Sequence, residues 1–238
     1  MGVVKHFLTI DGVSTEDFNI WISGGATFDS PKRDIETVKI PGRNGVVIFD
    51  NGRFENQTIK YPAFITRDFQ KNIDDFTDFI SSLRGYKRLE DTYHPSEFRM
   101  AFFGDGISCK TTAANLAGEF EIKFNCKPQQ FLKDGEKAIV FTSNGSLRNP
   151  TYQIAKPLLR VYGTGTVGIG TETITISSAD EYTDIDCESM DAYKGAVNCN
   201  GNVSVTGEEF PTLPAGLTGI SLGGSVTRVE ITPRWWRA

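Results

Sequence analysis

The chain has 238 residues, 39% of them hydrophobic, 23% charged and 24 glycine, an ordinary globular composition that excludes a collagen-like or disordered chain. Thirty acidic against 25 basic residues give a net charge of −5, which argues against broad attraction to DNA phosphates, because that attraction rests on Lys and Arg displacing counterions. No run approaches the roughly 18 apolar residues of a membrane-spanning helix, and the opening MGVVKHFLTIDGV holds no small-residue cleavage site, so neither a membrane span nor a secretory leader is expected.

Alternation of period two dominates the chain from VKHFLTI onward and predicts mostly β structure. Pro41-Gly42-Arg43-Asn44-Gly45 reads as a loop joining two strands, with a single cation. Asp50-Asn51-Gly52 then separates VVIF from RFENQTIKYPAFI. Asn-Gly can hold the two positive φ angles of a type I′ turn, so a hairpin is predicted there.

The segment TRDFQKNIDDFTDFISSLRG breaks the pattern. Phe69, Ile73, Phe76, Ile80 and Leu83 step by 4, 3, 4 and 3, which lines them along one stripe of a helix spanning about 67–84. Thr66 or Asp68 is placed to cap its start, and Gly85 to take a left-handed position past its end. The outer face carries Asp74, Asp75 and Asp78, which disfavours a DNA-reading helix.

Further on, Phe120, Ile122, Phe124 and Cys126 alternate with Glu119, Glu121, Lys123 and Asn125, as in a strand with one wet face. Residues 127–137, KPQQFLKDGEK, are expected to end that strand in proline, glutamines and an Asp-Gly turn. The reading is therefore an α+β domain over residues 1–132, then an all-β sandwich over 133–238. The final strand, 226–236, could instead pack back on the first domain.

Gly163-Thr164-Gly165-Thr166-Val167-Gly168 spells GxGxxG after a strand-like PLLRVY. The dinucleotide fingerprint needs a helix to open there and receive the pyrophosphate, whereas IGTETITISS alternates like another strand, so a glycine-rich hairpin is expected. Asp184, Asp186 and Glu188 would share one side of a strand and could offer oxygen ligands to calcium, but no EF-hand loop accompanies them. The adjacent acids Glu90-Asp91 and Glu208-Glu209 do not make a glycosidase pair, since neighbours on a strand point to opposite faces. His6 and His94 lie far apart, and no GxSxG, HExxH or P-loop occurs. Cys109, Cys126, Cys187 and Cys199 lack CxxC spacing and read as buried free thiols. No catalytic, cofactor or metal site is assigned. Trp235-Trp236 at the end of the chain, flanked by Arg234 and Arg237, suggests a docked terminus, since two tryptophans left to fray would bury nothing.

Several strings taken together give a stronger signal than any motif: DSPKRDIETVKIPGRNG, FDNGRFENQTIKYPAFI, LRGYKRLEDTYHPSEFRMA, FEIKFNCKPQQFL, NPTYQIAKPLLRVYGTG, YTDIDCESMDAYKG and FPTLPAGLTGISLGGSVTRVEITPRW. In this order, over nearly the whole chain, the sequence resembles the distal tail protein family of siphophages and prophages of Gram-positive hosts. The resemblance implies an N-terminal belt domain with one helix, whose copies close into a homohexameric ring at the tail tip. It implies a C-terminal galectin-like or carbohydrate-module-like sandwich, and a non-enzymatic virion protein made and assembled in the host cytoplasm.

The partners so implied are further copies of the chain, the tail-tube and tape-measure proteins, the tail-associated fibre or lysin protein, and a baseplate or receptor-binding protein. DNA would only pass through the lumen, and no membrane is involved. A closed ring needs two different patches that mate between neighbours. The expected contact residues are Pro41, Gly42, Arg43, Asn44 and Gly45, with Asn51 and Gly52, while Trp235 and Trp236 dock the C-terminus. The alternative is a carbohydrate-binding module that reads host-wall glycans through the C-terminal sandwich.

Overall fold

The structure, a computed structural model, describes residues 5–24, 29–112 and 117–238. It is a mainly β protein that separates into two compact units, Met1–Gln130 with Ala238, and Phe131–Arg237.

The first unit contains β1 (Leu8–Ile10), β2 (Val13–Ser14), β3 (Ile20–Ile22), β4 (Arg33–Val38), β5 (Val47–Phe54), β6 (Gln57–Ile65), α1 (Phe69–Ser82), β7 (Lys87–Asp91), β8 (Glu97–Phe102), β9 (Lys110–Thr112) and most of β10 (Ala117–Leu132). Its main sheet runs β2-β1-β7-β8-β10-β6-β3, with β9 on the start of β10. The Ile22 N–H donates to the His6 carbonyl just ahead of β1, so β3, at one end of this path, also meets the segment leading into β1 near the other, and the sheet curls. Leu8, Ile10, Ile20, Ile65, Phe76, Ile80, Ile122 and Phe124 fill the interior.

Helix α1 is shorter than the spacing predicted, 69–82 rather than 67–84. The stripe does face the core, with Phe76 and Ile80 fully buried and Phe69, Ile73 and Leu83 packed at its margins. Its caps differ from expectation. Asp68 takes a left-handed φ of 45° and makes no side-chain cap bond. The buried Asn72 amide reaches back instead to the Arg67 carbonyl at 2.8 Å. Gly85 is left-handed as expected, φ 67°, but two residues beyond Leu83, which ends the helix in extended conformation.

Strand β10 continues through KPQQFL to Leu132, and does not stop at residue 127. Its register with β6 ends at Cys126↔Gln57, so Pro128 deprives that ladder of no donor.

The second unit holds β11 (Ile139–Phe141), β12 (Gly145–Asn149), β13 (Leu158–Tyr162), β14 (Gly165–Ile169), β15 (Glu172–Ile176), β16 (Tyr182–Asp186), β17 (Asp191–Lys194), β18 (Val197–Asn198), β19 (Val203–Val205), β20 (Gly216–Gly224), β21 (Arg228–Thr232) and β22 (Trp236–Arg237). One sheet runs β11-β21-β13-β16-β17-β18 and the other β12-β20-β14-β15-β19. Every pairing with a defined register is antiparallel. Leu159, Val161, Ile185, Val229 and Ile231 of the first sheet share a core with Val167, Ile169, Ile174, Ile176 and Ile220 of the second, the arrangement of a sandwich. Strand β21 lies between β11 and β13, inside this unit.

Candidate assembly surface

Among the described residues strands β4 and β5 pair with each other and form a separate two-stranded sheet. The position of their turn corrects the sequence reading. Asn51-Gly52 is not a hairpin turn; β5 runs straight through it. Of the two residues only Gly52 takes a positive φ, 71°, so the type I′ geometry is not met. Between the pairs Arg33↔Phe54 and Ile35↔Asp50 the register shifts, and Asn51-Gly52-Arg53 bulges opposite Asp34. The chain reverses earlier, through Pro41–Gly45, where Gly42 and Gly45 have φ of 77° and 84°. The structure thus brings both expected contact segments onto one arm, with 41–45 at its tip and 51–52 in its returning strand.

A charged clasp holds the bulge. Asp34 accepts hydrogen bonds from Asn51 Nδ2 at 3.1 Å and Arg53 Nε at 2.6 Å, and those two donors hold its carboxyl below the usual range. Asp50 accepts from the Gly52 N–H at 2.8 Å and from Arg33 Nε at 2.6 Å, and its carboxyl is lowered in the same way. Farther along the arm the character changes. Ile35, Val38, Ile40, Val46, Ile48 and Phe49 are 42–61% exposed and make up six of the 14 exposed large hydrophobic residues described. A two-stranded ribbon with so many exposed apolar residues is a ready template for another chain.

The C-terminus is seated in the second unit. Trp235 is 5% exposed, its carbonyl accepts from the Leu132 N–H at 2.8 Å, and the Arg234 N–H donates to the Gly135 carbonyl at 2.8 Å. Trp236 is half-buried, and its Nε1 donates to the Ile154 carbonyl at 2.9 Å.

The remaining motifs fall into structural positions. Gly163–Gly168 is a turn running into β14, with Gly165 at φ 132° against the Gly223 carbonyl. Asp184 and Asp186 share a face as predicted, but each is bound by a guanidinium. Arg160 meets the buried Asp184 at 2.7 and 2.9 Å, and Arg234 meets Asp186 at the same two distances. Burial pushes the Asp186 carboxyl up, but Arg234 and the Glu188 N–H outweigh it and hold the group low. Among the described residues no three metal-ligating side chains converge.

Of the four free thiols, Cys126 and Cys187 are buried, whereas Cys109 and Cys199 are only half-buried, contrary to the expectation for all four. Short strands leave room for this, since both half-buried thiols flank small edge elements.

One juxtaposition was invisible in the sequence. His6 stacks on Tyr93, centroids 4.2 Å apart, and its Nδ1 lies 3.0 Å from Thr92 Oγ1. His94 Nδ1 lies 2.9 Å from Asp91, which also accepts from the Tyr61 hydroxyl at 2.9 Å. Burial and the Asp91 charge drive Tyr61 well above the ordinary phenol range. Tyr61, Asp91, Tyr93 and His94 line a cavity of about 250 Å³ with Pro62 and Arg99, and beside it the bonds from His6 and Phe7 to Thr92 fasten the residues before β1 to the turn after β7.

No protein-family model and no curated protein matches the chain in sequence. Solved structures match it closely in fold. The SPP1 Dit protein, described as a paradigm of the hub adsorption apparatus in phages infecting Gram-positive bacteria, superposes with a TM-score of 0.74 at 11% identity, over 95% of this chain and 98% of that one. Chains of the phage p2 baseplate in its activated conformation superpose with TM-scores of 0.52 (strontium form, 10% identity, 97% of each chain) and 0.53 (calcium form, 10% identity, 96% of this chain and 97% of that one). The chain therefore has the fold of the SPP1 Dit hub protein over 95% of its length.

Proposed function

We propose that this chain is the structural hub of a phage tail tip. Copies of it close into a homohexameric ring that joins the tail tube to the baseplate and receptor-binding apparatus and leaves a lumen for DNA. The observation that carries this reading is the apolar arm, residues 33–54, exposed on a fold shared over 95% of the chain with a hub protein. Pro41–Gly45 and Asn51-Gly52 belong to the contact between neighbours, a patch of each copy meeting a different patch of the next.

On this reading the other partners are the tail-tube and tape-measure proteins, the tail-associated fibre or lysin protein, and a baseplate or receptor-binding protein. The protein resides in the virion after assembly in the host cytoplasm and performs no catalysis. An excess of acidic residues suits a passage through which a polyanion slides. The rival glycan-binding reading has less support from the second unit. Arg228 and Arg160 sit 3.9 and 4.3 Å over the rings of Tyr162 and Tyr182, so one face of each is already covered, and the exposed Tyr152 is the aromatic there that a sugar would have to use.

Negative-stain microscopy and light scattering of the purified full chain test the proposal. Six-fold rings are the expected result. A monomer at every concentration, or saturable binding of wall glycans by a monomer, contradicts it.

A further inference from the structure

Four Asn-Gly pairs occur in the chain: Asn44-Gly45, Asn51-Gly52, Asn144-Gly145 and Asn200-Gly201. The dipeptide carries its own reaction. The glycine backbone nitrogen, unhindered because glycine has no Cβ, loses its proton and attacks the asparagine Cγ. The Cγ–Nδ2 bond breaks and ammonia leaves. Water then opens the five-membered succinimide, at Cγ to give aspartate or at the backbone carbonyl to give isoaspartate. One water is consumed and one ammonia released, and nothing is oxidised or reduced. The step needs a glycine N–H without an acceptor and a side-chain amide free to turn.

Three of the four pairs are held. Asn51 Nδ2 donates to Asp34 at 3.1 Å and the Gly52 N–H donates to Asp50 at 2.8 Å, so leaving group and nucleophile are both tied to carboxylates. Asn144 Oδ1 accepts from the Leu222 N–H at 2.9 Å, and Gly145 opens β12 opposite Ile220. Asn200 accepts from the Ala192 N–H and donates through Nδ2 to Asp191 at 3.2 Å, within the 3-10 turn Asn200–Asn202. Asn44 and Gly45 are exposed in the reversal between β4 and β5, and among the described residues neither the Asn44 side chain nor the Gly45 N–H has a hydrogen-bond partner. Breaking one hydrogen bond to a charged group before the reaction slows it about tenfold or more. We propose that Asn44 is a self-modification site, the pair among the four that deamidates in the folded chain. The product places a carboxylate beside Arg43 and, as isoaspartate, adds a methylene to the backbone of the reversal. The inference concerns a single copy and holds without the self-assembly reading; on that reading a neighbour covers Asn44, and the reaction belongs to copies that have not assembled.

The full chain is incubated at pH 8, diluted until sedimentation finds single copies, beside a sample unfolded in urea. Peptide mass spectrometry follows conversion at each of the four asparagines, and enzymatic methylation of isoaspartyl groups counts that product. Expected in the folded chain is conversion at Asn44 about tenfold or more faster than at Asn51, Asn144 or Asn200. The four rates should converge in urea, and Asn44→Gln should remove most of the isoaspartate from the folded sample. If Asn44 stays intact in folded single copies, or any of the other three converts as fast, the assignment is overturned. If Asn44 leads by the same factor in urea, the selectivity belongs to its sequence neighbours and the argument from hydrogen bonds falls. None of these outcomes depends on whether rings form, so a failure of the hub reading is seen separately, in the sedimentation of concentrated samples.

Discussion

Gly135 and Trp235 approach so closely that a Cβ added at Gly135 would lie 2.4 Å from the Trp235 backbone nitrogen. Gly135 occupies the short 3-10 turn Lys133–Glu136 that follows β10, and its carbonyl takes the Arg234 N–H. A residue 100 positions upstream thus forms the floor on which the C-terminus rests. Gly135→Ala should destabilise the protein by about 1–3 kcal/mol through overpacking, although it removes no contact. Trp235→Ala should cost about 3–5 kcal/mol, the usual range for a buried aromatic. The atoms that the added Cβ would meet are the Trp235 backbone nitrogen and Cβ and the Arg234 carbonyl carbon, all kept in Trp235→Ala, so the double variant should cost about the sum of the two effects, and denaturant titration of the three variants checks it.

The terminus should also respond to acid. Arg234 binds Asp186 in bidentate fashion, and the Asp186 carboxyl is held below its ordinary value near 3.8. A carboxyl lowered in the folded state contributes stability that is fully present above that value and is lost as pH falls through its folded pKa. Asp186→Asn should therefore lower stability at pH 7 and have a much smaller effect once the pH is below the folded pKa. Melting curves from pH 7 to pH 2 on both proteins give the comparison.

Thiol chemistry separates the four cysteines. Burial pushes the Cys126 and Cys187 thiols up to about 12, so the nucleophilic thiolate is scarce and inaccessible at once. Alkylation of the native protein at pH 8 should mark Cys199 and Cys109, with Cys126 and Cys187 labelled only after unfolding. Mass spectrometry of labelled peptides reads this directly, and rapid labelling of Cys126 in the native state would show that its sheet opens locally.

How far the sequence reveals these features depends on the range of the interaction. The stripe from Phe69 to Leu83 and the alternation from Phe120 to Cys126 are local patterns, and the structure buries Phe76, Ile80, Phe120, Ile122 and Phe124 accordingly. The turn at Asn51-Gly52 fails for the opposite reason. A dipeptide can specify a reversal, but the pairing of β5 with β4 and the grip of Asp34 on Asn51 and Arg53 turn it into a bulge. Intrinsic turn preference yields to tertiary context there. Arg160 with Asp184, and His6 with Tyr93, are 24 and 87 positions apart and meet only because strands pair. No spacing rule reaches them. The exposed apolar residues of the arm stand in the sequence within VKI and VVIF, but period-two alternation does not say which strands stay outside the core.

Asn149 and Tyr152 yield a prediction from opposite kinds of surroundings. Asn149 is 3% exposed, and its amide donates to the Gln153 and Leu213 carbonyls at 2.8 and 2.9 Å while its oxygen accepts from the Thr151 N–H and hydroxyl, each at 2.9 Å. The side chain uses all four of its hydrogen-bonding positions, three to hold one turn and one to tie that turn to Leu213. Tyr152, in the middle of that turn, is 96% exposed. Asn149→Ala leaves the buried Thr151 N–H without its acceptor, at about 1–3 kcal/mol, and takes one bond each from the Thr151 hydroxyl and the Gln153 and Leu213 carbonyls, which keep another, so it should be among the more damaging single substitutions in the second unit. Tyr152→Ser should change stability by no more than about 0.5 kcal/mol. If Tyr152→Ser instead lowers the melting point as Asn149→Ala does, the turn is held by the ring and not by the amide beneath it.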